Sequence, residues 1–102
     1  MLTDLLPLLE LDEYISFDLE TTGLNPDGDR ITEISACRFI NGKFSEEFTS
    51  LINPRIPIPK NIIALTGITN NMVEDAPIIS DIIPEILAFI GTTPLVGHNI
   101  DF

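Results

Sequence analysis

From Tyr14 to Glu20 the chain places apolar side chains at every second position, with Ile15, Phe17 and Leu19 separated by Ser16 and Asp18. Period-two alternation is the mark of a strand with one face buried, so a first strand is expected over Tyr14–Glu20. Asn25-Pro26-Asp27-Gly28-Asp29 is a dense turn signal. A second strand is read over Arg30–Ile40 and a third over Lys43–Ile52, joined at Asn41-Gly42, a strong two-residue hairpin signal. Pro54, Pro57 and Pro59 stiffen the stretch 53–60. Short helical turns are expected at Asn61–Leu65 and after Thr69, the second ending near Ala76-Pro77. A longer helix is expected from an N-cap at Ser80 to Ile90, with Pro84 in its first turn and Gly91 as its stop. Pro94–Gly97 reads as a short apolar strand. Leu2, Leu5, Leu6 and Leu9 have helical spacing, so residues 1–102 are read as a single domain, with 1–13 as a lead-in helix and 14–102 as its core. Three hairpin-linked strands, a helical crossover and a fourth strand make an α/β mixed sheet, the crossover favouring a parallel pairing for the last strand.

The alternation has a chemical consequence. Asp18 and Glu20 stand two positions apart and so project from the same face, opposite the core-facing Ile15, Phe17 and Leu19. Two such carboxylates repel unless a cation or proton lies between them. Hard divalent ions are commonly held in this way, by one or two carboxylates together with phosphate oxygens. Gly23 follows at once and permits close approach of backbone to a ligand. Glu33, in the second strand, could approach this face, but solvent is the favoured reading for it, and Glu46-Glu47 is expected to form an exposed strand surface. Cys37, the sole cysteine, excludes an internal disulfide and is read as a small buried side chain.

Residues 17–24, Phe-Asp-Leu-Glu-Thr-Thr-Gly-Leu, resemble the first motif of the DEDD (DnaQ-like) 3′–5′ exonucleases, the group that includes the proofreading epsilon subunit of bacterial DNA polymerase III. The likeness extends through Pro59–Pro77, with its Gly67-Ile68-Thr69 and Ala76-Pro77, and to Val96-Gly97-His98-Asn99-Ile100-Asp101-Phe102, which is similar to the beginning of the family's His-Asn-x-x-Phe-Asp motif. The resemblance implies a ribonuclease H-like fold with the first strand central, two Mg²⁺ or Mn²⁺ ions, and hydrolysis at the single-stranded or frayed 3′ end of DNA. By position, Asp18 and Glu20 would be the catalytic metal ligands. Leu19, Thr21, Thr22, Gly23 and Leu24 would line the terminal nucleotide, with Leu65 and Thr66 on the same pocket and Asn99 and Phe102 on a further wall. Core packing is an equal alternative for Leu24 and Leu65, a turn hydrogen bond for Thr66, and a helix cap for Asn99.

The aspartate that follows phenylalanine in the family pattern would fall one position after Phe102, the last residue of the sequence. Asp101 occupies a variable position of that motif, and His98 is not the family's general base. The expectation is therefore an N-terminal portion of the domain, lacking its last strand and helices, with little or no catalysis by residues 1–102 alone. Apolar surface at Ile79, Ile82, Ile83, Ile86, Leu87 and Ile90 is expected to be exposed if later elements normally cover it. A net charge of −11, with five lysines and arginines in all, opposes nucleic-acid binding, although bound cations can meet phosphate charge. That charge motivates one alternative, a non-catalytic interaction module of the same fold. An RNA-directed exoribonuclease is another, because the first motif does not separate the two nucleic acids. A DNA polymerase or helicase is the partner implied. No apolar run is long enough for a membrane span, the leucine-rich start lacks the basic residues of a signal peptide, and a cytoplasmic protein is expected.

Overall fold

The computed structural model describes residues 12–97; residues 1–11 of the lead-in segment and positions 98–102 lie outside the described residues, and Glu13, read as the end of the lead-in helix, is instead the first residue of a strand. The elements in chain order are β1 (Glu13–Thr21), β2 (Ile31–Ile40), β3 (Lys43–Leu51), α1 (Lys60–Thr66), α2 (Asn70–Val73), α3 (Ile79–Ile90) and β4 (Leu95–Gly97). The sheet order is β3-β2-β1-β4. The first three strands are antiparallel, and β4 runs parallel to β1 on its other side. The mixed sheet and its helical crossover are as expected, with β1 inside. Asn41 and Gly42 carry φ of 53° and 80°, the two positive values that a tight hairpin turn between twisted strands requires.

One face of the sheet is covered and the other is largely open. Ile15, Leu19, Ile34, Ala36 and Ile52 are buried with Ile82 and Ile86 of α3, and Phe17, Phe48, Ile79, Phe89 and Ile90 pack around them. The Arg38 guanidinium closes one end of this layer with only 12% of its side chain exposed. It donates to Glu13 and to the Phe89 carbonyl, to Glu46 Oε1 at 2.8 Å and to Thr93 Oγ1 at 2.8 Å. It also lies 5.0 Å from the centre of the Phe89 ring. Arg38 thus joins three strands to the end of α3, and Glu46 is a partner in this network as well as an exposed strand residue.

The structure corrects three details. Helix α3 starts at Ile79, with Ile78 as N-cap and no capping side chain, ahead of the start that a cap at Ser80 suggests. Starting there brings Ile79, Ile82, Ile86 and Ile90 to the sheet, and that burial outweighs a side-chain cap of about 1 kcal/mol. Pro84 accordingly sits in the helix interior, where it lacks the N–H that would bond one turn back. Cys37 is half-buried rather than buried. It lies on the open face beside Ser16, and its thiol donates to Glu47 Oε2 at 3.6 Å; burial, then the Glu47 charge, push the thiol pKa up.

Ile83 and Leu87 are exposed at 44% and 60%, while Ile82 and Ile86 are buried, so the exposure anticipated for this helix falls on one of its faces. Thr32 is 1% exposed and its hydroxyl has no hydrogen-bond partner among the described residues. Replacing it by valine removes an unsatisfied polar atom at constant shape. Thr32→Val is expected to raise stability by about 1 kcal/mol, read as a higher urea midpoint with unchanged slope.

Candidate active site

Strand β1 emerges from the core with its even positions on the open face. Asp18 is exposed and Glu20 half-buried. Antiparallel pairing sets Ser35 opposite Asp18 and Glu33 opposite Glu20. Directly opposed residues share a face, so Glu33 joins Asp18 and Glu20 as a third carboxylate of this surface. Approach of Glu33 to this face was the lesser of two readings of the sequence; the strand register, broken by a bulge between Glu20 and Thr21, favours it. The Glu20 carboxyl is held above its ordinary value, first by burial and then by the charges of Asp18 and Glu33.

The sign of that shift gives a pH dependence. A carboxyl raised on folding makes the native state bind more protons than the unfolded chain between the two pKa values. Stability therefore falls as pH rises from about 4.5 through the raised value. Glu20→Gln is expected to melt higher than the parent at pH 7 in the presence of a chelator, with the difference vanishing in strong acid. Equal melting temperatures at pH 7 would contradict the assignment.

The turn after β1 is tightly organised. Thr22 is 1% exposed; its hydroxyl donates to Asp29 Oδ1 at 2.8 Å and accepts from the Arg30 amide at 3.0 Å, and its own amide donates to the Arg30 carbonyl at 2.8 Å. The Thr22 side chain is thus engaged inside the loop, where the motif resemblance had it facing a ligand. Thr21 Oγ1 donates to the Gly23 carbonyl at 2.5 Å. Leu24, by contrast, is 91% exposed. Leu65, near the end of α1, is 80% exposed. Neither packs in the core that the described residues form. Thr66 caps its own turn: Oγ1 donates to the Ile62 carbonyl at 3.0 Å and accepts from the Ile68 amide at 3.1 Å. Helix α1 is held at this side of the sheet by a second apolar cluster. Ile58, Ile68 and Val73 are its buried members, and Leu51 packs against them from the strand position opposite Glu33. Asn99 and Phe102, with His98 and Asp101, lie outside the described residues.

Asp18 and Glu20 offer carboxylate oxygens on one face. This donor set suits a hard divalent ion. The described residues contain no cluster of three or more His, Cys, Asp or Glu spaced to hold a metal.

A central strand that ends in paired carboxylates on the open face of a mixed sheet, flanked by exposed leucines, has the architecture of a ribonuclease H-like nuclease. Residues 15–102 match the exonuclease family model of the RNase T type, and the chain belongs to that family. It is 41% identical over 91 residues to DNA polymerase III PolC-type of Clostridium perfringens, covering 89% of this chain and 6% of that protein. It is 42% identical over 95 residues to the PolC-type enzyme of Bacillus subtilis, covering 93% and 7%. The chain therefore spans a small fraction of these relatives. Among solved structures, exonuclease X in complex with 5′-overhanging duplex DNA superposes with TM-score 0.73 at 35% identity, covering 87% of this chain and 50% of the other. The nuclease domain of 3′hExo, a DEDDh family member bound to rAMP, superposes with TM-score 0.74 at 20% identity, covering 85% and 52%. No helix among the described residues is long and apolar enough to cross a membrane.

Proposed function

We propose that this chain is the N-terminal portion of a 3′–5′ DNA exonuclease domain that serves replication proofreading or repair beside a DNA polymerase or a helicase in the cytoplasm. The observation that carries the reading is the placement of Asp18 and Glu20 on the open face of β1, next to a turn that holds Leu24 almost wholly in solvent. Residues 14–102 act as one domain in this reading. Asp18 and Glu20 hold Mg²⁺ or Mn²⁺, and two such ions, when bound, stabilise the attacking and leaving oxygens of phosphodiester hydrolysis. The remaining roles belong to the chain. Leu24 and Leu65 give apolar contact to the terminal base, and the backbone of Leu19, Thr21 and Gly23 borders the sugar. Glu33 raises the negative potential at Glu20 and so sharpens the demand for a cation.

The DEDD resemblance implies four metal-binding carboxylates, of which Asp18 and Glu20 would be two. Groups that act as a unit lose nearly all their effect when one is missing, so residues 1–102 alone are expected to bind metal weakly and to hydrolyse little or nothing. The test has two arms. Calorimetric titration of the chain with Mn²⁺ and a deoxynucleoside monophosphate should show binding that Asp18→Ala abolishes. A polypeptide extended through the family's remaining motifs should release nucleotides from a DNA 3′ end in Mg²⁺. Titrations identical for the parent and Asp18→Ala would favour the second reading, a non-catalytic interaction module, which the net charge of −11 supports. Faster hydrolysis of a matched RNA oligomer would instead assign an exoribonuclease.

A further inference from the structure

We propose that Asp29 is a positioning residue for nucleotide binding: its carboxylate shapes the turn that carries Leu24, so that Leu24 stands out as a rigid contact for the terminal base. The inference rests on the exonuclease reading of the site and goes beyond it, since Asp29 lies outside the metal-binding pair and outside the motif of residues 17–24.

The carboxylate reaches back across the turn and divides its two oxygens. Oδ1 accepts from the buried Thr22 hydroxyl at 2.8 Å, and Oδ2 accepts from the Asn25 amide at 3.0 Å. These two partners bracket Gly23 and Leu24. Asp29 is itself placed by the turn: its amide donates to the Asn25 carbonyl at 2.7 Å, the Gly28 amide to the same carbonyl at 3.2 Å, and the Asp27 amide to Asn25 Oδ1 at 3.0 Å. Charge-assisted bonds of this kind are stronger than neutral ones, and here they leave the two ends of the Gly23–Leu24 step little freedom.

The same carboxylate explains the glycine. A Cβ on Gly23 would collide with Asp29 Oδ2 and lie 2.7 Å from its Cγ. Position 23 is therefore small because Asp29 packs over it. A leucine that is 91% exposed on an unbraced turn would sample many directions and lose that freedom on binding. Held from both sides, it is organised before the ligand arrives.

The test is an NMR titration of the 102-residue chain with a 5′-deoxynucleoside monophosphate in saturating Mg²⁺, following the Leu24 methyl signals. Asp29→Ala is expected to weaken binding about tenfold, the loss of the turn's two carboxylate bonds. Leu24→Ala should weaken binding in the parent yet add nothing to Asp29→Ala, because both remove one organised contact. Gly23→Ala should weaken binding in the parent and do so far less in Asp29→Ala, where the clash is gone. Asp29→Asn, which keeps shape and the bond from Thr22, should fall between, so the series remains informative even if Asp29→Ala melts early. Independent, additive losses for Leu24→Ala and Asp29→Ala would overturn the inference, as would parent-like binding in Asp29→Ala. Leu24 methyls unmoved by a nucleotide that binds, with Leu24→Ala harmless in the parent, would instead remove the nucleotide-contact reading of the turn, and the positioning role with it.

Discussion

Ile15→Ala should remove roughly 2–5 kcal/mol of stability, as large-to-small changes in closed cores do. Ile15 is 0% exposed and lies where β1 is paired on both sides, with Arg38 opposite it in β2 and Leu95 in β4. Its side chain belongs to the cluster formed with Leu19, Ile34, Ala36, Ile52, Ile82 and Ile86, and its amide donates to the Pro94 carbonyl at 2.9 Å on the way into β4. A void at this position cannot be filled easily, because its neighbours are fixed by the sheet on one side and by α3 on the other. Small domains keep only about 5–15 kcal/mol in total, so a large share of the chain would be unfolded at physiological temperature. Urea denaturation followed by circular dichroism measures this. The midpoint should fall by about 1–3 M, given slopes of roughly 1–3 kcal/mol/M for small proteins. Leu24→Ala, at an apolar position of similar size held in solvent, should move the midpoint little. A loss below about 1 kcal/mol for Ile15→Ala would place the core elsewhere.

The contrast between Ile15 and Leu24 also marks what could be read without coordinates. Strict alternation over Ile15, Phe17 and Leu19 identified the buried face of β1, because a strand has only two faces and one of them must be apolar. Asn41-Gly42 identified the hairpin, because few residues accept two positive φ values in succession. Both signals are local. The start of α3 was not local: Ser80 is a better cap than Ile78, but tertiary burial of Ile79 decided the boundary. The placement of Glu33 depended on register, which a bulge on each side of β2 alters.

Thr22 shows the same limit at the site. A threonine in a motif next to two carboxylates reads as a ligand group, yet its hydroxyl is engaged by Asp29 seven residues away. The partner sits in a stretch whose composition signals only a turn. The central position of β1 was implied by the family resemblance, since alternation says nothing of strand order. Leu24 and Leu65 were undecided between core and ligand contact, and among the described residues they stand outside the core, 91% and 80% exposed.

Asp18→Asn is expected to separate folding from metal chemistry more cleanly than any other substitution in the chain. Asp18 is exposed and raises the Glu20 pKa through its charge. Without metal, neutralising it relieves repulsion, so the variant should fold normally and melt at or slightly above the parent temperature. With Mg²⁺ or Mn²⁺ the order should reverse. A ligand that binds only the native state stabilises it by about 2.7 kcal/mol at a hundred times its Kd, and the side-chain amide that the substitution introduces supplies neither the charge nor the bridging oxygens of a carboxylate. The parent should therefore gain thermal stability with rising metal concentration while Asp18→Asn stays nearly flat. In a polypeptide extended to carry all four family carboxylates, the same change should cut 3′-end hydrolysis by roughly 10³-fold or more. Metal ions supply several kcal/mol of charge stabilisation in such reactions, and roughly 1.4 kcal/mol is worth a factor of ten. Glu33→Gln makes the matching control: it removes a charge from the same face at a position the family motif does not use, and its effect on hydrolysis should be modest. A metal-dependent rise in melting temperature that survives Asp18→Asn would mean that the cation binds elsewhere, and the paired carboxylates of β1 would then be no more than an acidic strand end.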